Sequence, residues 1–590
     1  MNVQPRKVDD GSSASAASSA VGIPPTPSPS PQGGGGVDSR GLDFYHSDPS
    51  LKALLSLYLP AAELAHVEPC LARLGRLVGD RLDDLAREAD KTPPRLEARN
   101  RQGEDRQSIV KAPAYVAMEG LAFGEFALAA LSHRPALGWG KPLSPATKYA
   151  LTYLFTQSEF GLLCPVNMTD SLTRTIRRFA DERLLQRYLP GLLAENPDEL
   201  LQGAMFMTER FAGSDVGATE TRAVRSGDHW LLHGDKWFCS NASADLALVM
   251  ARPEGAPAGT AGLGLFLMPR VLPSGEPNHY RIVRLKEKLG TRAMASGEIV
   301  LEGAAAWLVG DLNQGFKQMA EMVNQSRLSN GVRSTGMMRR AVHEALTVAL
   351  GRQAFGKRLI DLPLVRRQLI KMILPAEAAL SVAFFTAQCL ERADAGDAEA
   401  QTMRRILTPL IKLRACRDAR KVTGDAMEMR GGSGYIEEWI EPRLLRESHL
   451  GSIWEGTSNI IALDVVRAAA KAGAHRALAA RLEPMLAAGP AEISAPLRER
   501  LGAALALIDR AGSEPRAARQ AATGLYHVTA AALFLHEAQA LGDDRRVDLA
   551  RLVLAHKLSA RDPLAGVAAE DDAAGDRVID ALVGARIPSP

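Results

Sequence analysis

Cysteine is scarce in this chain, with only Cys70, Cys164, Cys239, Cys389 and Cys416 in 590 residues. None stands in a C-x-x-C or at Cys/His ligand spacing, which argues against a disulfide framework and against a zinc site, and leaves reduced, mostly buried thiols. No run offers about twenty uncharged apolar residues; the best candidate, 373–390, contains Glu377 and reads as a buried helix, so no membrane span is expected. The formal net charge of +3 is too small to advertise nucleic-acid binding. A convincing Gly-x-Gly-x-x-Gly after a strand is missing, as is a Walker lysine motif, so a nucleotide cofactor would need another cradle. The start lacks the uninterrupted apolar core of a secretory signal; Arg6 and Lys7 among small and polar residues leave a transit role open, and cytoplasm is the default compartment.

What is present exceeds a single core, and 46% hydrophobic residues suffice to fill about two to four domains. Residues 1–45 are Ser/Pro/Gly-rich and predict a disordered segment. From 46 to 202 apolar residues recur at three and four, as in Leu51, Leu54, Leu55 and Tyr58, with breaks at Pro60, Pro93-Pro94 and Pro190, which predicts an α-helical domain. Residues 203–312 change to short aliphatic, β-branched and aromatic runs, predicting about six to eight strands of an antiparallel sandwich or barrel. Helical periodicity returns over 313–468 in long segments that imply a bundle, and 469–590 predicts a helical extension with breaks near Pro490, Pro515 and Pro563. The fold class is therefore α+β multidomain in the order α, β, α, with clefts at the domain junctions where ligands bind.

Within that frame the run Ser452-Ile453-Trp454-Glu455-Gly456-Thr457 sets one carboxylate among an aromatic, a glycine and small hydroxyls. Trp454 can desolvate Glu455 and Gly456 admits close approach, so Glu455 is a candidate base; the bland alternative is a solvated glutamate at a helix start capped by Thr457 or Ser458. Residues 207–217 cluster hydroxyls and glycines able to hold a polar ring edge or phosphate, or form an ordinary turn. Trp237 and Phe238 offer stacking faces and Ser240 a donor, against a plain strand-pair reading. Arg352 to Lys357 presents cations that suit a diphosphate or a helix C-terminus. Residues 430–435 form a glycine turn able to approach a ligand, or a plain loop.

Together, in this order and spacing, these motifs resemble the acyl-CoA dehydrogenase superfamily over about residues 50–468. The matches are Thr-Glu-x-x-x-Gly-Ser-Asp at 208–215, Arg-x-x-Phe-Gly at 352–356, Gly-Gly-x-Gly at 431–434 and Glu-Gly-Thr at 455–457. The runs at 234–240, 285–290, 336–341, 363–366 and 452–456 are most similar to the AidB-type branch, the alkylation-response flavoproteins. The resemblance implies a helical domain, a β-barrel or sandwich and a four-helix bundle, with FAD between the last two, in a homotetramer. It assigns Met207, Thr208 and Ser214 to the loop that meets the flavin and the CoA side. Phe238 takes the place of a tryptophan against the flavin and Ser240 that of a threonine near flavin N5. Arg352, Phe355, Gly431, Gly432 and Thr457 become further FAD contacts, Glu455 the catalytic base, and Asn324, Arg327, Trp454 and Gly456, with Ser214, the substrate side. Some members carry their base just before the arginine resembling Arg327; here that position is Ser326. Further departures are Arg210 for a proline, Asn324 for an aspartate, Ala354 for a hydroxyl residue and Pro363 for a glutamine.

The resemblance implies α,β-dehydrogenation of an acyl-CoA, with electrons passed to an electron-transfer flavoprotein or oxygen. The alternative is a protective DNA-associated flavoprotein with little dehydrogenase activity. DNA contact would use the basic helix bearing Arg404, Arg405, Lys412, Arg414, Arg417, Arg420 and Lys421, which is more often a solvated face or subunit contact. Oxidation of nitroalkanes on the same fold has less support, because it is associated with aspartate where this chain has Glu455.

Overall fold

The structure is a computed structural model that describes residues 37–560, 562 and 564–586. Most of the Ser/Pro/Gly-rich segment, residues 1–36, lies outside the described residues, as does the break expected at Pro563. The packed chain begins before residue 46, against the expectation of disorder to 45: Phe44 and Tyr45 are buried among helices. Arg430 of the bundle also bonds the Val37 carbonyl at 2.8 Å.

The N-terminal unit comprises α1 (Pro49–Tyr58), α2 (Ala61–Val78), α3 (Arg81–Lys91), β1 (Arg95–Arg99), β2 (Asp105–Val110), α4 (Pro113–Glu119), α5 (Pro145–Phe155), α6 (Leu163–Phe179) and α7 (Glu182–Leu192). Its helices start where the chemistry dictates. Asp48 and Ser144 accept from the N–H groups of Leu51 and Thr147, each followed by a proline in the first turn. The β1–β2 hairpin interrupts what periodicity reads as an all-helical unit.

The β domain holds β3 (Gly203–Phe206), β4 (Arg222–Ser226), β5 (His229–Ser240), β6 (Leu246–Pro253), β7 (Gly264–Pro269), β8 (Tyr280–Leu285) and β9 (Ser296–Leu308). Pairings β6–β4–β5–β9–β7–β6 close a ring, with β3 added beside β6 and β8 beside β9. The barrel is not wholly antiparallel: β3 and β4 both run parallel to β6. A parallel pair needs a long crossover, and the loop after β3 together with the β4–β5 hairpin supplies it for β3 and β6.

The bundle consists of α8 (Gly315–Gly351), α9 (Pro363–Asp394), α10 (Ala398–Arg430), α11 (Ile440–Gly451) and α12 (Ser458–Ala472). The extension adds α13 (Ala474–Ala487), α14 (Ala491–Ala511), α15 (Ala518–Leu541), α16 (Arg545–Val553) and α17 (Ala569–Gly584). The most apolar helix, α9, has 94% of its apolar window buried inside the protein, as a core helix should. Arg339 of α8 ties the units together, donating to Tyr153 Oη and to Glu377, both at 2.8 Å, and lying 3.1 Å from Asp48.

Candidate functional site

Glu455 sits in the short loop between α11 and α12, at a junction of α6, α8 and α10. It is one of few non-glycine residues in left-handed backbone, with φ 57°, and Gly456 follows at φ 102°. An L-residue there costs roughly 1–2 kcal/mol, so surrounding contacts must hold it. They do. Arg327 Nε donates to the Glu455 carbonyl at 3.0 Å, and the buried Lys412 ammonium donates to the Gly456 carbonyl. Arg327 is itself fixed by Asp464 at 2.8 Å, and Arg405 grips the same carboxylate at 2.6 Å. Burial would raise the Asp464 carboxyl; the two guanidiniums override it and hold the group below the usual carboxylate range.

The side chain of Glu455 is anchored on one oxygen only. Ser326 Oγ donates to Oε1, and Asn167 Nδ2 on α6 donates to Ser326 Oγ at 3.0 Å. Oε2 is buried with no hydrogen-bond partner among the described residues. Trp454 stacks on Phe160, ring centroids 5.7 Å apart and 26° between planes, while Arg333 lies against both rings. Asn324 joins the same cluster through Arg327 Nη1 at 3.4 Å. Thr457 occupies the N-cap position of α12, but its side chain makes no capping bond.

A second group stands on the barrel. The loop carrying Met207, Thr208 and Ser214 is shaped by Glu209, whose Oε1 accepts from Lys236 Nζ at 2.7 Å and Thr221 Oγ1 at 2.6 Å, while Oε2 accepts from Glu220 N at 2.7 Å. Trp237 N then donates to the Thr208 carbonyl at 2.9 Å. Phe238 leaves its ring 58% exposed beside this loop, with the Lys286 ammonium 4.7 Å from the ring centre. The Cys164 thiol on α6 is buried, which pushes it up to about 11, and it lies near enough to Arg333, Glu455 and Ser240 for each to shift it. The barrel and bundle groups thus meet at α6.

The third group lies at the end of α8. Arg352 turns inward and donates to the Arg430 carbonyl at 2.8 Å, directly before Gly431, whose φ is 75°. Phe355, also left-handed at φ 53°, is 95% exposed, and a Cβ at Gly432 would meet nothing within 4 Å. Arg352 and Gly431 are in contact; no bond joins this group to Glu455 among the described residues.

Several supports carry no sequence signal of their own. Ser326, Asn167 and Phe160 act on residues far away in the chain. The basic stripe of α10 is only partly interior: Arg404 and Lys412 are buried, Arg404 pairing with Glu321 at 3.6 Å, while the half-buried Arg417 and Arg420 donate to Ser458 and Ser452, which flank the Glu455 loop. Arg414 and Lys421 pair along the helix with Asp418 and Asp425.

Models of known families match three consecutive parts of the chain: the adaptive response protein AidB N-terminal domain over 37–199, the acyl-CoA dehydrogenase middle domain over 204–304, and the acyl-CoA dehydrogenase C-terminal domain over 313–470. The chain belongs to the acyl-CoA dehydrogenase family. Within it, this chain carries the AidB-type N-terminal domain. It is 32% identical over 439 residues to acyl-CoA dehydrogenase family member 11 of Caenorhabditis elegans, covering 72% of this chain and 70% of that protein. It is 35% identical over 411 residues to the putative acyl-CoA dehydrogenase AidB of Escherichia coli K12, covering 67% and 73%. A crystal structure of Caenorhabditis elegans ACDH-11 in complex with C11-CoA superposes with a TM-score of 0.82 at 27% identity, over 88% of this chain and 92% of that one.

Proposed function

We propose that this family member is an FAD-dependent dehydrogenase that removes hydrogen from the α and β carbons of an acyl-CoA, with Glu455 as the base. The observation that carries the reading is its carboxylate: Ser326 fixes one oxygen, and the other is buried without a partner among the described residues. A buried acceptor left unpaired is costly, and a substrate C–H placed against it turns that cost into reactivity. The relative bound to C11-CoA supports an acyl-CoA as the ligand class.

The residues present fit FAD. The exposed Phe238 ring offers a stacking platform beside the hydroxyl-rich loop, and the open backbone at Gly432 offers close approach. Met207, Thr208, Ser214, Phe238 and Ser240 would hold the ring end; Arg352, Phe355, Gly431, Gly432 and Thr457 would hold the remainder. Bound FAD supplies the hydride acceptor. This chain's own part is to take the α proton on Glu455 Oε2, with Oε1 held by Ser326 so that the free oxygen keeps one direction. Arg327 and Lys412 keep the loop from relaxing, and the Trp454–Phe160 stack excludes water from one wall. Asn324, Arg327, Gly456 and Ser214 would line the thioester and CoA side.

An electron-transfer flavoprotein or oxygen would take the electrons, in a cytoplasmic homotetramer; the exposed Phe355 tip supports a neighbouring subunit at that turn. The DNA-associated reading has less support, because each of the seven cations of the α10 stripe already has a polar partner within the chain. Anaerobic titration of the holoenzyme with acyl-CoAs of graded length tests the proposal. Flavin bleaching by one class, lost in Glu455→Gln, is expected; bleaching by none would remove the dehydrogenase reading.

A further inference from the structure

One fully buried cation beside this site has no task in the proposed reaction. Arg333, on α8 beyond Ser326, has no exposed surface, and its Nε, Nη1 and Nη2 all lack a hydrogen-bond partner among the described residues. Other buried guanidiniums are met by acids: Arg339 by Asp48 and Glu377, Arg430 by Glu344 and Glu441. Among the described residues Arg333 is met by two aromatic rings, with its Cζ 5.0 Å from the Phe160 centroid and 5.1 Å from that of Trp454. Rings attract the charge but do not replace oxygen acceptors for in-plane N–H groups, so the guanidinium keeps its unmet demand.

Its location makes that demand informative. Trp454 precedes Glu455 directly, and its own Nε1 is unpartnered among the described residues, as is Asn330 Oδ1 one turn earlier on α8. Cys164 and Cys416 each sense both Arg333 and Glu455, so charge and base share one desolvated compartment. An alkyl chain ending there would leave the guanidinium unpaired; a carboxylate would meet it with a bidentate, charge-assisted pair.

We propose that Arg333 is the acyl-recognition residue and selects a short acyl-CoA that ends in a carboxylate, with the acid end on the guanidinium and the α carbon at Glu455. The assignment rests on the dehydrogenase reading above.

The test is calorimetric titration of the holoenzyme with glutaryl-CoA, hexanoyl-CoA and free CoA, in the natural protein and in Arg333→Met. The natural protein is expected to bind glutaryl-CoA at least about tenfold tighter than hexanoyl-CoA. Arg333→Met should weaken glutaryl-CoA by about a hundredfold and leave hexanoyl-CoA within about threefold. The variant's melting temperature should hold or rise, since an unpaired buried charge is replaced by an apolar side chain of similar length. Equal affinity for the two thioesters, an unchanged ratio in the variant, or a clear drop in its melting temperature would overturn the assignment. Bleaching by hexanoyl-CoA with no preference for glutaryl-CoA would sink Arg333 alone; binding of neither thioester beyond free CoA would remove the dehydrogenase reading with it.

Discussion

Replacing Lys236 with methionine tests how the cofactor-side loop is held. The ammonium is fully buried and donates to Glu209 Oε1 and to the Met250 carbonyl, each at 2.7 Å. Lys236→Met keeps an apolar stem in place but leaves Glu209, only 7% exposed, as a carboxylate without its cation. Removing one partner of a buried pair costs about 3–5 kcal/mol. Thr221 Oγ1, Thr221 N and Glu220 N still donate to Glu209, which puts the expectation at the low end, about 3 kcal/mol. Adding Glu209→Gln removes the stranded charge and should recover all but about 1 kcal/mol. A chain of several domains does not unfold in one step, so the assay is native-state hydrogen exchange across 203–240. The Trp237 amide, which donates to Thr208, should exchange about a hundredfold faster in the single variant and near the natural rate in the double. Unchanged exchange in Lys236→Met, or equally fast exchange in the double variant, would refute the reasoning. The pH dependence has a definite sign. Burial would raise the Glu209 carboxyl, but Lys236 and its other donors hold it below its ordinary value. Its contribution is therefore present above the ordinary carboxylate pKa and lost as pH falls through the lower folded value.

Gly456→Ala places a Cβ 3.0 Å from Ile461 Cδ1 at φ 102° and should loosen the base loop by about 1–3 kcal/mol, read as a lower melting temperature of the holoenzyme. Ser326→Ala strips Glu455 Oε1 and Asn167 of their shared partner; kcat/KM should fall about tenfold with the flavin still bound. Glu447, buried near Glu159 and Asp90, is pushed up to about 8, chiefly by burial. Its stabilising effect is complete below the ordinary carboxylate pKa and is lost progressively as pH rises from there through about 8, so Glu447→Gln should flatten the decline of melting temperature between about pH 5 and 8.

Long helices α8, α9 and α10 are legible in the sequence because their apolar residues repeat over many turns. The β1–β2 hairpin is not, because its strands carry Arg95, Glu97, Arg99, Asp105 and Arg106 on largely exposed faces and show no apolar alternation. The packing of Phe44 and Tyr45 is hidden in the same way, two aromatics in an otherwise polar stretch finding helices distant in sequence. At the site, the composition around Glu455 draws attention to the carboxylate, but not to what holds it. Asn167 and Ser326 meet across 159 residues, and Lys412 and Arg405 reach Gly456 and Asp464 from a helix that reads as a basic stripe. Local patterns report which face of an element is buried; they do not report which distant backbone carbonyl or carboxylate a buried cation will meet.

The central claim is that Glu455 takes a proton from the carbon beside the thioester. Exchange of that proton with deuterated solvent, followed by NMR on an acyl-CoA bound to the anaerobic holoenzyme, tests it without requiring turnover. The account predicts exchange in the natural protein that falls at least about a hundredfold in Glu455→Gln while binding of the acyl-CoA persists. Exchange at an undiminished rate in Glu455→Gln would contradict it and place the base on another residue.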